Sequence, residues 1–318
     1  MLTPIFSRSL TLLLPLFVLA CQSTNSNEET TTTFSTEGQA TFVGNKQFDE
    51  YWYRGEAELN SYRLEQARYG EIHEGEAVLV FVTEPFSRTK QVKLDDPGLT
   101  PQDRVSVMKL NLTKKFYTGV YPYSIMQSTF TPIDWETFPN SLKVSTSTQE
   151  WCGHTFTQLN LNDQGYRVQG YSYFESEGAR EQQLGQALLE DEIWSKIRID
   201  PKSLPTGKID VIPGTVHSRL RHRDFRVVPA TASLQAATTP QQMVYELDFG
   251  NSGRQLKIFF DKAFPHQIQA WEERANSGFG SGARPLVTKA TLKKSIQLDY
   301  WNRNRTTDAK YREQLDLQ

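Results

Sequence analysis

From residue 55 onward, apolar and polar residues alternate with period two, the spacing of strands whose two faces meet different surroundings. Tyr62, Leu64 and Gln66 alternate with Arg63, Glu65 and Ala67, and Met108, Leu110 and Leu112 alternate with Lys109 and Asn111. Half-buried antiparallel strands follow. Ala77-Val78-Leu79-Val80-Phe81-Val82 is apolar on both faces and lies between Gly75 and Pro85, so it is expected to be the most buried strand. Further strands are expected at 88–94, 122–131, 141–149, 154–161, 165–174, 207–216, 219–228, 243–249, 255–261, 266–273 and 286–300. Asn162-Asp163-Gln164-Gly165 and Gly250-Asn251-Ser252-Gly253 carry turn chemistry between neighbouring strands. One helix is expected over 181–195, where Leu184, Leu188 and Trp194, with Ala187 and Ile193 between them, form an apolar face largely opposite Glu190, Asp191 and Glu192. The Ala-, Thr- and Gln-rich stretch 229–242 reads as a long loop or subdomain linker. The expected fold is mainly β, a curved antiparallel sheet or half-barrel with one or two packed helices.

The N-terminus carries an address. Arg8 supplies a positive start, Leu10 to Leu19 an apolar run too short to span a bilayer, and Val18-Leu19-Ala20-Cys21 the small-residue-then-cysteine ending of a bacterial lipoprotein signal. Cys21 is thus expected to carry the lipid, with residues 1–20 removed. Three acyl chains on it would hold the protein essentially permanently in a membrane, because each buried methylene contributes about 0.8 kcal/mol. Residues 22–33 contain no apolar side chain, so 21–40 is expected to be the lipidated cysteine and a disordered tether, followed by a β-rich domain over 41–305 and a polar tail over 306–318. Gln22, not Asp, follows the anchor and favours the outer membrane, with the protein facing the periplasm or the cell surface.

Loss of residues 1–20 removes only Arg8 from the charged set, leaving 34 Lys and Arg against 37 Asp and Glu, a net charge of −3. That balance gives no nucleic-acid footprint. With Cys21 committed to lipid, Cys152 has no intramolecular partner, so a disulfide framework is excluded.

Two stretches carry candidate chemistry. Trp151-Cys152-Gly153-His154 matches the start of a disulfide-isomerase site, but Thr155 stands where the second cysteine belongs and a strand pattern follows. Cys152 and His154, two apart on a strand, would share a face and could form a nucleophile and base; the competing reading is a buried structural cysteine packed beside Trp151. In the second stretch, 216–225, a strand would align His217, Arg219, Arg221 and Arg223 on one face, with guanidiniums about 6.7 Å apart, a spacing suited to an anion such as a lipid phosphate or an acidic glycan. The competing reading is a solvated face paired with carboxylates of the next strand. His222 and Asp224 lack a third ligand, so no metal site is expected, and no motif implies a cofactor. Tyr51-Trp52-Tyr53 and Tyr121-Pro122-Tyr123 suit stacking on sugars, a lipid cavity or simply the core.

Leu64-Glu65-Gln66-Ala67-Arg68-Tyr69-Gly70, the stretch from Tyr117 to Met126, Gln149 to Phe156 and Glu190 to Lys196 resemble a bacterial lipoprotein family of unassigned activity, whose members often carry the label "septum formation inhibitor Maf". Maf proteins proper are α/β nucleotide pyrophosphatases with a Ser-Pro-Arg-Arg-like start, which this chain lacks. Leu256 to Glu273 is similar to periplasmic β-clam proteins near the lipoprotein-carrier folds, which implies a curved sheet. The resulting expectation is a lipid-anchored envelope protein binding an amphiphilic or lipid ligand, or a partner protein. The alternatives are a hydrolase or transferase using Cys152 and His154, and a structural scaffold.

Overall fold

The computed structural model describes residues 46–98 and 101–317. The signal peptide, the Cys21 anchor and the tether expected from the sequence lie outside these residues. Helix α1 (Lys46–Trp52) leads into β1 (Ala57–Arg68), β2 (Glu71–Ser87), β3 (Arg104–Thr118), β4 (Tyr121–Pro132), β5 (Lys143–Glu150), β6 (Gly153–Asn162), β7 (Gly165–Ser172) and β8 (Ala179–Leu184). The chain then makes β9 (Leu188–Leu189), a 3₁₀ turn, α2 (Ile193–Ile199), β10 (Gly207–Ile212), α3 (Thr215–Leu220), β11 (Val228–Ala236), β12 (Gln242–Asp248), β13 (Gln255–Asp261), β14 (Ile268–Ser277), β15 (Arg284–Leu298) and α4 (Lys310–Gln314).

Among the described residues all fifteen strands belong to one sheet, in the order β8 to β1, then β15 back to β9. Neighbours are antiparallel except for β9 with β10. The two edges, β8 and β9, are not paired with each other, yet only residues 185–187 separate them. Four residue steps span at most about 14 Å, so the sheet is rolled until its edges nearly meet. The antiparallel strands read from the alternation, and the curved, mainly β fold expected from the sequence as a whole, are what the structure shows.

The concave face holds the core. Even-numbered residues of β1, including Tyr62 and Leu64, face inward with Ala77, Leu79 and Phe81 of β2 and Leu110 and Leu112 of β3, all buried. Helix α2 is buried along its whole length against this face. Trp194 packs on Trp271 of β14 with ring centroids 5.2 Å apart, and Arg198 makes a two-pronged pair with Glu58 of β1 at 2.5 and 2.6 Å. Asn60 also donates to Glu58 at 2.7 Å, and Tyr51 hydrogen-bonds the same carboxylate.

Five sequence expectations fail here. The helix over 181–195 is instead two strands and a 3₁₀ turn, with α2 beginning only at Ile193. Glu190, Asp191 and Glu192, assigned to the polar side of that helix, are buried: Glu190 pairs with Arg254, Asp191 accepts from the Thr215 amide, and Glu192 accepts from the Ser141 amide. Residues 229–242 are not a linker, because 228–236 form β11, paired with both β10 and β12. Residues 88–94 are a connection in which only Lys93 bridges back to Phe86. The strand expected over 219–228 is replaced by the end of α3 and an irregular segment.

Candidate functional site

Antiparallel order gathers many of the turns at one rim. The β1/β2, β3/β4, β5/β6 and β7/β8 turns share it by alternation. Because Glu65 near the end of β1 pairs with Lys289 near the start of β15, the β14/β15 loop joins them, and the register of β11 to β14 brings the 213–227 and 249–254 connections to the same end. Arg284 donating to the Gly70 carbonyl at 2.8 and 3.0 Å fastens two of these turns.

Aromatic side chains run around this rim as a collar. Trp151 stacks on Tyr121 at 6.2 Å between centroids, the Tyr121 hydroxyl meets that of Tyr69 at 3.2 Å, and Tyr69 lies 6.0 Å from Phe279. Phe279 contacts His222 at 6.4 Å, His222 lies 5.4 Å from Phe174, and Phe174 packs edge-on to Tyr173. The collar closes at Gly153, where a Cβ would meet the Tyr173 ring at 2.6 Å and φ is +149°. Although mutually supported, the tips stand in solvent: Trp151 is 71% exposed, Tyr173 72%, Phe279 62%, Tyr117 64% and Val120 77%. The sequence reading missed them as a group. Their available signal is an apolar residue beside a turn glycine, as in Tyr69-Gly70, Gly119-Val120 and Gly278-Phe279-Gly280.

The basic stretch sits inside the collar, though not as a strand. Helical spacing over Thr215–Leu220 and a left-handed backbone at His222 (φ 51°) send its side chains in different directions. His217 turns inward and hydrogen-bonds Glu273. Arg219 faces β6 to β8 and lies 4.9 Å over the Phe174 ring. Arg221 is partly buried near Arg68, Arg223, Arg254 and Glu273, and that burial pushes its guanidinium down from the usual range; its side chain makes no hydrogen bond or ion pair among the described residues. Arg223 is exposed. Segment 213–227 holds four arginines against one aspartate, a net +3.

Beneath the collar lies a charged network. Arg254 grips Glu190 with two bonds of 2.6 Å and Glu273 with one of 2.9 Å. Burial pushes Glu273 up, but Arg254 and His217 outweigh it and hold the carboxyl well below the ordinary range. Asp191 lacks such a partner. Burial first, and then the charge of Glu190, raise it to about 7, although the Thr215 amide donates to both its oxygens at 3.0 and 3.2 Å. Lys114 is buried beside a small cavity of about 30 Å³ that Glu190, Asp191 and Glu273 also line, and burial lowers its ammonium. A cavity of that size takes a few waters at most, so no acyl chain fits there.

Cys152 and His154 are both exposed. Trp151 and Cys152 form the two-residue tip between β5 and β6, so Cys152 is neither on a strand nor packed as a structural cysteine. The turn overturns both the shared-face argument and the buried-cysteine reading. Glu150 raises the thiol through a hydrogen bond and its charge, which opposes formation of a nucleophilic thiolate, and no hydrogen bond joins the thiol to His154. Among the described residues no helix is long and apolar enough to cross a membrane, and no cluster of three His, Cys, Asp or Glu side chains could hold a metal ion. Comparison of the chain with protein-family models, curated proteins and solved structures finds no match.

Proposed function

We propose that the protein is a lipid-anchored envelope protein that binds an anionic amphiphile surface through its aromatic rim, with Cys21 as the separate covalent anchor. The collar of exposed Trp, Tyr and Phe tips surrounding a segment of net charge +3 carries this reading. Tyr and Trp place an apolar ring and a polar edge where lipid meets water, and Arg pairs with phosphate oxygens beside them. The ligand is expected at the rim and not inside the sheet, because α2 and the Arg254 network occupy the concavity.

The test is sedimentation of the unlipidated chain with vesicles of phosphatidylglycerol or of phosphatidylcholine. Preference for the anionic vesicles, weakened by salt, is the expected result. Trp151→Ala and Tyr173→Ala should each weaken binding about tenfold without loss of folding, since both rings are exposed. Equal binding to both vesicles, or alanine variants that bind like the parent, would refute the reading.

A further inference from the structure

Arg219 is a buried guanidinium without adequate acceptors. Its side chain is only 8% exposed, its Nε is buried with no hydrogen-bond partner among the described residues, and Glu150 and Glu177 stand at 3.9 and 3.8 Å, beyond hydrogen-bond reach. Among the described residues its one contact at hydrogen-bond distance is with Nδ1 of His222, at 3.2 Å. That nitrogen also lies 2.5 Å from Glu177 Oε1. A proton on Nδ1 serves Glu177 and leaves nothing for Arg219 to donate to, because one ring nitrogen cannot do both. The buried Arg198 and Arg254 are each gripped by a two-pronged carboxylate.

Arg219 opens onto a cleft of about 70 Å³ between β6 to β8 and residues 218–225, which Thr155, Ser172, Arg180, Ser218 and Arg223 also line. The cleft's two carboxylates are already engaged, Asp224 by Arg180 and Glu177 by His222 and Ser172. Three arginines line the cleft beside these two carboxylates, with Glu150 behind Arg219 at 3.9 Å, and Arg223 makes no side-chain hydrogen bond or ion pair among the described residues. We infer that this cleft is an oxyanion site for a phosphate group, bound between Arg219 and Arg223 with the hydroxyls of Thr155 and Ser218 beside it. The inference rests on the rim-docking reading, for which it names the headgroup chemistry. A phosphate offers the acceptors that Arg219 lacks, and the cleft is sized for such a group, not for a whole lipid.

Inorganic phosphate is the first probe, compared with chloride at matched ionic strength. The thermal midpoint of the parent should rise with phosphate, because a ligand that binds only the folded state stabilises it. Arg219→Gln and Arg223→Gln should each weaken phosphate binding about tenfold. Arg223 is exposed, so its variant keeps the test decisive if Arg219→Gln does not fold. Competition between phosphate and phosphatidylglycerol vesicles identifies a lipid headgroup as the source; phosphate binding without competition identifies a soluble phosphate compound. No stabilisation beyond chloride, or equal stabilisation in both variants, overturns the site. If Trp151→Ala binds anionic vesicles like the parent while phosphate still stabilises the parent beyond both arginine variants, the docking reading fails and the oxyanion site stands.

Discussion

Arg198 in the interior is fully buried, Arg219 at the rim has its side chain largely buried, and the two are provided for very differently. Arg198 has Glu58 across from it, locked in turn by Asn60 and Tyr51, and donates its Nε to the Pro265 carbonyl at 2.8 Å. Arg219 has carboxylates nearby but none in hydrogen-bond contact. A buried charge is tolerable when its hydrogen bonds are made, and costly when they are not. The interior arginine therefore specifies how α2 seats against β1, whereas the rim arginine is organised for an acceptor that arrives from outside.

The sharpest break of this comparison is Arg198→Met. Removing the cation strands Glu58, which is fully buried. Loss of one partner from a buried pair costs about 3–5 kcal/mol. Urea unfolding should show that loss, and Glu58→Leu combined with Arg198→Met should recover much of it. A single variant as stable as the parent would mean that the pair does not hold α2 in place.

The carboxylates of the buried network respond to pH in opposite senses. Asp191 has its folded value raised to about 7, against an unfolded value near 3.9. Between these limits the folded state holds a proton that the unfolded state has released, so this group's contribution to stability falls as pH rises, by up to about 1.4 kcal/mol per pH unit. Glu58 and Glu273, both lowered, act in the opposite sense, but only below their unfolded value of about 4.3. Asp191→Asn should flatten the urea midpoint across pH 4–7 relative to the parent. An unchanged slope would show that Asp191 is ionised throughout that window. Gly214 probes the same place sterically: a Cβ there would meet Glu190 Oε1 at 2.7 Å and Asp191 Oδ1 at 3.0 Å. Both carboxylates are held by other partners, so Gly214→Ala should cost about 1–3 kcal/mol in urea unfolding.

What the sequence made legible follows from which forces it displays. Alternation over Tyr62-Leu64-Gln66 and Met108-Leu110-Leu112 reports burial of alternate side chains, and those strands lie where expected. Buried charge gives no such signal. Glu190-Asp191-Glu192 looks solvated until Arg254, 62 residues further on than Glu192, comes beside it, and only then does the helix shrink to 193–199. His217 to Arg223 alternates like a strand, but the Asp191 carboxylate at the Thr215 amide starts a helix there instead. The collar was illegible for a related reason: aromatics beside turn glycines become one surface only when the register brings five turns together.

The smallest expected effect on stability sharpens the comparison most. Arg219→Gln, measured without phosphate, deletes a charge that makes no close ion pair, and glutamine can still reach one of the few polar groups around it. The lost attraction to Glu150 and Glu177 and the relieved desolvation of an undersatisfied guanidinium act in opposite directions. Their difference should lie within about 1 kcal/mol of zero, with stabilisation as the informative sign. Phosphate should then reverse the order of the two proteins by stabilising the parent and not the variant, a crossing that a purely structural arginine would not produce. A loss for Arg219→Gln as large as that for Arg198→Met would place both arginines in the same structural role, and the phosphate response of Arg223→Gln would then decide the oxyanion site alone.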